Sequence, residues 1–372
     1  MKLGCALFCS VALIFSNIHT VYADNHDEKT LTLLAKGEFY SSMLTSQGYT
    51  FVGKARTGWA PDYRIEIYDP QLKLATKVAL THAPMSIHQI DKQSIITYGI
   101  NPNIAQVQYT IIDTSSPSFP STTSSLGENA WANGWLGKFG NDHFFIDVGG
   151  NVEDDVVTRS PGSISQTIVR LREGVSSYLD FRISRPIAGI KSENGFYVAQ
   201  GHGIGSGRSD LLQIDLENGL MKSIFKELPT EIRDMVLVES ASTLVIADSA
   251  QGRLIGIDTK TDTFAWQMPT GSSPATLATA GKCVVLGDMH EKLVHVVDVS
   301  GSSPVVLHVE SIKSPETQFR GLSKVTVDLQ TKRVFARSNI PCNPILEECP
   351  NDFNRVIVLE NEGITKALSR CE

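Results

Sequence analysis

The sequence predicts an all-β protein, a seven-bladed β-propeller made of four-stranded antiparallel blades. Runs of Val, Ile, Thr and aromatic residues, bounded by Gly, Pro, Asn, Asp and Ser, are typical of short strands and dominate the chain. One strand–turn unit recurs, mostly at intervals of about 40 to 45 residues, which is the length of a propeller blade. A length of 372 residues accommodates seven such units. A pair of β-sandwiches, the alternative fold, would not explain the repeat.

The repeated unit is an apolar strand that ends in Asp before a turn. Its clearest copy runs through Thr243–Asp248 and Arg253–Asp258, and the stretch from Cys283 to Val309 repeats it. The strand-ending positions are Asp69, Asp113, Asp215, Asp258 and Asp298, with degenerate copies near Leu171 and Leu359. Ring closure needs a strand from one end of the chain, and both Thr30–Leu34 and Ile364–Leu368 are suitable.

Residues 241–310 resemble the YVTN/NHL-like propeller repeats of exported bacterial proteins. The resemblance lies in Leu-Val-Ile-Ala-Asp, Leu-Ile-Gly-Ile-Asp-Thr and Thr-Gly-Ser-Ser-Pro, followed by a second copy. The literal Tyr-Val-Thr-Asn motif is absent from the chain. The resemblance implies the fold and little about activity, since one propeller scaffold serves many functions.

The N-terminus predicts export. Lys2 precedes the apolar run Leu3–Phe15, and Val21-Tyr22-Ala23 offers small residues at the cleavage positions. Residues 1–23 are therefore interpreted as a signal peptide and residues 24–372 as one propeller domain. The apolar run is short for a membrane span, so an uncleaved anchor is the weaker alternative. We expect a bacterial periplasmic or secreted protein with no membrane span after cleavage.

Four cysteines remain after cleavage, and an even number in an exported chain predicts disulfides. Cys342 and Cys349 flank a turn-rich stretch and are paired with each other, which leaves Cys283 for Cys371. A zinc site is the alternative, although the six-residue gap between Cys342 and Cys349 is not a usual zinc spacing.

Charge argues against two classes of partner. The net charge is −7 and the chain contains no basic run. Binding to nucleic acid or to an anionic membrane depends on clustered Lys and Arg, so neither is expected. A protein partner or a small ligand remains.

The predicted site lies on one face of the propeller. We call it the loop face, because the connections between successive blades and those between the second and third strands of each blade share it and contain the insertions. Function is usually found in loops of this kind on a rigid scaffold.

We expect a polar, aromatic-lined mouth on the loop face. Its ligand- or partner-binding candidates are Trp59, Trp131, Arg185, Arg208, Arg233 and Arg320. Its metal-binding candidates are His82, His202, His290 and Asp234.

No cofactor is required by the sequence. Calcium is an alternative at Asp147–Asp155, although the spacing of an EF-hand is absent, and a transition metal is an alternative at the mouth. The glycine-rich Gly201–Arg208 stretch is out of register with a dinucleotide fingerprint and predicts a hairpin turn.

Two functions follow. The absence of a nucleophile–base or acid–base motif favours an exported, non-catalytic binding scaffold. The alternative is a periplasmic propeller enzyme or enzyme subunit, such as a lactonase-like hydrolase or the large subunit of a quinoprotein dehydrogenase, or a metal carrier.

Overall fold

The structure, a computed structural model, describes residues 29–33, 38–56, 61–104, 106–126, 134–146, 165–166, 168–179, 181–183, 186–201, 208–228, 232–312, 321–338 and 355–372. Seven four-stranded antiparallel sheets confirm the predicted seven-bladed β-propeller. No helix in these ranges has the length and apolarity needed to span a membrane.

The strands follow one another blade by blade. The first strand is β1 (Lys29–Thr32). Blade 1 contains β2 (Glu38–Ser46), β3 (Tyr49–Arg56), β4 (Asp62–Tyr68) and β5 (Leu74–Leu80). Blade 2 contains β6 (Ser86–Asp91), β7 (Ser94–Asn101), β8 (Gln106–Asp113) and β9 (Ser121–Ser125). Blade 3 contains β10 (Gly134–Phe139), β11 (Asp142–Ile146), β13 (Ile168–Arg172) and β14 (Val175–Tyr178), and a small separate sheet pairs β12 (Ser165–Gln166) with β15 (Arg182–Ile183).

The remaining blades are equally regular. Blade 4 contains β16 (Pro186–Lys191), β17 (Gly195–Gly201), β18 (Ser209–Asp215) and β19 (Leu220–Leu228). Blade 5 contains β20 (Ile232–Val238), β21 (Thr243–Asp248), β22 (Arg253–Asp258) and β23 (Thr263–Pro269). Blade 6 contains β24 (Pro274–Ala280), β25 (Cys283–Asp288), β26 (Leu293–Asp298) and β27 (Val305–Ser311). Blade 7 contains β28 (Leu322–Asp328), β29 (Arg333–Ser338), β30 (Arg355–Leu359) and β1, and the helix α1 (Glu362–Ser369) follows.

The first strands of the blades form the inner ring. Each of β2, β6, β10, β16, β20, β24 and β28 contacts the first strand of the next blade, and β28 contacts β2. Hydrophobic cores fill the spaces between neighbouring blades, as where Tyr197 and Leu211 of blade 4 pack with Leu244 and Ile255 of blade 5. Stacking therefore buries the sheet faces that a single blade would leave exposed.

The repeat detected in the sequence marks the third strand of each blade. The side-chain Oδ1 of the strand-ending Asp accepts a hydrogen bond from the backbone N–H two residues further on, at 2.8–2.9 Å in five blades. These residues are Asp69, Asp113, Asp215, Asp258 and Asp298. The carboxylate thus stabilises the turn into the fourth strand through a bond made within that turn, which explains why this position recurs.

The N-terminal strand closes the ring. β1 pairs antiparallel with β30, with Lys29 opposite Val358 and Thr32 opposite Arg355. The other sequence alternative, Ile364–Leu368, lies in α1 instead. Asn361 caps this helix by accepting the N–H of Ile364 at 2.9 Å, and the buried Ile364, Ala367 and Leu368 share one helical face.

The helix α1 holds the C-terminus against blades 6 and 7. Cys371 forms a disulfide with Cys283 across a Cα–Cα distance of 5.3 Å, which confirms that predicted pair. The Lys282 N–H also donates to the Cys371 carbonyl at 2.8 Å. Cys342 and Cys349 lie outside the described residues, so their pairing stays a prediction.

Docking of the C-terminus can be tested at the turn beside it. Gly281 has φ +59°, and a Cβ there would lie 2.2 Å from the Cys371 carbonyl oxygen. Gly140 occupies a comparable turn at φ +57° with no atom within 4 Å of its Cβ position. We expect Gly140→Ala to cost about 1–2 kcal/mol, the penalty of the left-handed conformation. Gly281→Ala should cost clearly more in thermal unfolding, because the C-terminal backbone must also move. Equal costs would contradict the docking contact.

Candidate functional site

Connection length distinguishes the two faces of the propeller. The turn face, opposite the loop face, holds the connections between first and second strands and between third and fourth strands. These connections hold at most seven residues, from two between Ser46 and Tyr49 to seven between Asp113 and Ser121. The long connections, from Ile146 to Ile168 and from Ser338 to Arg355 among others, belong to the loop face. Apart from β12, the interiors of these two long loops lie outside the described residues.

The predicted binding residues divide into two groups. Arg208 and Arg233 are described, and both are exposed on the loop face. Arg208 directly precedes β18, and Arg233 lies at a bulge in β20, where its Nε donates to Ser249 Oγ at 3.3 Å. The other binding candidates lie outside the described residues and are Trp59, Trp131, Arg185 and Arg320. The metal candidate His202 also lies outside them.

His82 is a buried structural residue in the connection between blades 1 and 2. Its Nε2 is hydrogen-bonded to Thr110 Oγ1 at 2.9 Å, and its Nδ1 to the Ala83 carbonyl at 3.2 Å. Burial lowers the pKa of His82 to about 4, even though the bond to Ala83 acts in the opposite direction. The side chain is therefore neutral at pH 7 and ties this connection to β8.

Asp234 links the inner strands of blades 5 and 6. Its Oδ1 accepts the Met235 N–H at 2.9 Å, and its Oδ2 accepts the Leu277 N–H at 2.8 Å. Burial raises the pKa of Asp234, although the charge of Lys324 and these backbone donors oppose the rise. Both carboxylate oxygens thus hold the backbone around the central axis.

His290 is exposed at the loop-face end of blade 6. Its backbone N–H donates to Asp288 Oδ1 at 2.7 Å, so the residue forms part of a tight turn. Among the described residues, no group of three or more His, Cys, Asp or Glu side chains is placed to hold a metal ion. The metal site that the sequence predicts at the mouth remains a prediction, since His202 lies outside these ranges.

The structure adds a set of polar and aromatic residues on the inner ring, which we call the axial group: Ser86, His88, Trp135, Asp234 and Lys324. Ser86 Oγ is hydrogen-bonded to His88 Nε2 at 2.6 Å, and the Trp135 ring lies 5.5 Å from that of His88. Burial, followed by the positive charge of Lys324, lowers the pKa of His88 to about 3. Lys324 of blade 7 also acts on Asp234, so its charge influences residues of blades 2 and 5.

Sequence inspection could not find this group. Its members come from blades 2, 3, 5 and 7 and meet only when the ring closes. Ser86 and His88 share β6, and each of the others stands alone in an ordinary strand. The arrangement gives the axis a neutral imidazole, a carboxylate and an ammonium group. The buried Trp135 Nε1 has no hydrogen-bond partner within the described part of the chain. This polar lining is suited to holding polar atoms of a ligand or of an inserted loop.

Comparison with known proteins supports the fold. No protein-family model matches the chain, and no curated protein matches it. Among solved structures, a chain of a mitotic checkpoint complex crystal structure is similar at a TM-score of 0.58 and 9% identity, over 96% of this chain and 99% of that one. At this identity the likeness shows the fold alone. It supports a β-propeller and does not single out the YVTN/NHL-like family.

Proposed function

We propose that this protein is an exported, non-catalytic binding scaffold that holds a protein partner on its loop face. The observation that supports this most directly is the uneven distribution of connections, with short turns on one face and the long loops on the other. A closed ring of blades keeps the loop bases fixed relative to one another. Loops presented on such a rigid base are where propellers and other scaffolds bind partners.

Export is supported by the disulfide. Cys283 and Cys371 are both fully buried and bonded to each other. Stable disulfides of this kind form in oxidising compartments. Together with the signal peptide that the sequence predicts, this favours a periplasmic or secreted location.

Binding is favoured over metal-assisted catalysis by the state of the candidate ligands. His82 uses both ring nitrogens in hydrogen bonds, and Asp234 uses both carboxylate oxygens. A metal that made a nucleophile from water would need such groups free to ligate it. Their engagement in holding strands therefore weakens the lactonase-like alternative.

The experiment is affinity recovery of the full chain from its own source, followed by native mass spectrometry. We expect wild-type protein to bring down a second chain, and Trp131→Ala/Arg320→Ala to reduce that recovery at least 10-fold with an unchanged unfolding midpoint. The control, Lys92→Ala/Lys260→Ala, changes two exposed turn-face residues and should recover the partner normally. Equal recovery by all three proteins would contradict the proposal.

The same spectra separate the alternatives. A mature chain beginning at Asp24 and lighter by four protons is expected from signal cleavage and two disulfides. Added mass of a metal or an organic molecule in place of a second chain would favour the enzyme or carrier function.

A further inference from the structure

The turn face contains a cleft between blades 3 and 4. Its volume is about 600 Å³, within the range of small-molecule sites. Blade 3 contributes the ends of β10, β11 and β13, and blade 4 contributes the turns after β16 and β18. Because it opens on the face opposite the loop face, this cleft is independent of the proposed function.

The cleft has an aromatic wall. Phe139 and Phe144 meet edge to face with ring centroids 5.8 Å apart, and Phe181 and Leu179 line the same space. Lys191 Nζ lies 4.5 Å from the centroid of the Phe139 ring, a cation–π contact at the margin. Flat apolar surfaces of this kind favour an aromatic or otherwise planar ligand group.

Two arginines of β13 face the cleft, and their environments differ. Arg172 forms a bidentate salt bridge with Asp142, in which Nε lies 2.8 Å from Oδ1 and NH2 lies 2.6 Å from Oδ2. Arg170 lies two residues earlier on the same side of the strand, opposite Phe144. Its Nε is buried and meets no hydrogen-bond acceptor within the described residues.

Because the Arg170 Nε is closed off from the cleft, a ligand there meets this arginine only through the part of its side chain that lines the cleft. A carboxylate is the group that suits an arginine best, since two oxygens can accept from the planar donor fork. Three acidic side chains line the cleft: Asp142 is paired with Arg172, and Glu193 and Glu217 are exposed.

We propose that this cleft is a binding site for an aromatic carboxylate, whose ring packs against Phe139, Phe144 and Phe181 and whose carboxylate pairs with Arg170. A free aromatic acid and a peptide that ends in an aromatic residue both supply this chemistry. The site adds a second recognition surface to the molecule, on the face that the loops do not use.

The test is calorimetric titration of the intact chain with matched probes. N-acetylphenylalanine should bind with a dissociation constant of about 1 mM, a value expected for a ligand of this size. Its uncharged amide and N-acetylalanine should each bind at least 10-fold more weakly, since one lacks the carboxylate and the other lacks the ring. Phenylacetate distinguishes the sources: equal affinity indicates a free acid, and much weaker binding indicates a peptide end.

Variants test whether Arg170 supplies the positive charge that binds the ligand carboxylate. Arg170→Gln should weaken N-acetylphenylalanine at least 10-fold without changing the affinity for the amide, and Arg170→Lys should retain part of the binding. Arg370→Gln changes an exposed arginine that follows α1, far from the cleft in sequence, and as the matched control it should bind as wild type. The proposal is overturned if the acid and its amide bind wild-type protein equally, or if neither binds at 10 mM. The wild-type comparison decides this even if the Arg170 variants fold poorly.

Discussion

Removal of the Cys283–Cys371 disulfide is expected to lower the free energy of unfolding by about 4–5 kcal/mol. The bond joins residues 88 apart in sequence, and a covalent loop of that length strongly restricts the unfolded chain. It also fixes α1, whose Ile364 and Leu368 complete the core between blades 6 and 7. Without the bond, the C-terminus is held by this packing, by the Lys282–Cys371 hydrogen bond, by the helix cap, and by the Lys332–Glu372 and Asn361–Glu310 contacts.

The measurement is urea unfolding of Cys283→Ala/Cys371→Ala beside wild type, each with and without reductant. Alanine keeps both sites apolar, so the difference reports mainly the lost crosslink. Reductant should move the wild-type midpoint most of the way to that of the variant. A loss below about 1 kcal/mol would show that the restricted unfolded chain contributes little here.

Fold prediction succeeded where the cause of a pattern is local. In five blades the Asp at the end of the third strand makes its own turn within a few residues, so the repeat was visible in a single sequence. Which of Thr30–Leu34 and Ile364–Leu368 supplies the ring-closing strand depends on contacts with residues distant in sequence. Both segments are short and apolar, and only pairing with β30 and the cap from Asn361 distinguish strand from helix.

Prediction of the site was limited for the same reason, because its contacts join residues that are distant in sequence. A His in a loop gives no sign of its burial, so the bond between His82 and Thr110 could not be foreseen. Asp234 likewise gave no sign that its carboxylate would reach the backbone of the next blade. The Arg170 cleft forms only when two blades stack, and its one sequence signal was two arginines alternating on a strand.

Blade 1 contains a buried network of charges on the side that faces blade 7, where the ring closes. Its four least exposed members are Glu38, Lys54, Arg64 and Glu66. The Glu66 carboxylate forms salt bridges with Lys54 Nζ at 2.7 Å and Arg64 Nε at 3.0 Å. It also accepts a hydrogen bond from the Tyr68 hydroxyl at 2.9 Å. Arg64 also pairs with Glu38 at 2.5 Å and with the exposed Asp62.

Glu66 should make the stability of the protein sensitive to acid. Burial alone would raise its pKa, but the hydrogen bond and charge of Lys54, with the bonds from Tyr68 and Arg64, lower it to about 2. An unfolded Glu titrates near 4.3. The depressed pKa therefore contributes stability that is complete above about pH 5 and is lost as the pH falls towards 2. A difference of this size corresponds to roughly 3 kcal/mol.

Glu66→Gln is expected to destabilise the protein by about 3–5 kcal/mol at pH 7, because Lys54 and Arg64 stay buried with one carboxylate fewer. Asp62→Asn is the matched control: it removes another carboxylate partner of Arg64, but an exposed one, and should cost less than about 1 kcal/mol. We measure the free energy of unfolding from pH 7 to pH 2. The values for Glu66→Gln and wild type should converge as the pH falls, whereas the difference between Asp62→Asn and wild type should stay constant. Parallel curves for Glu66→Gln would mean that other carboxylates cause the acid sensitivity, and the network would then be a minor part of ring closure.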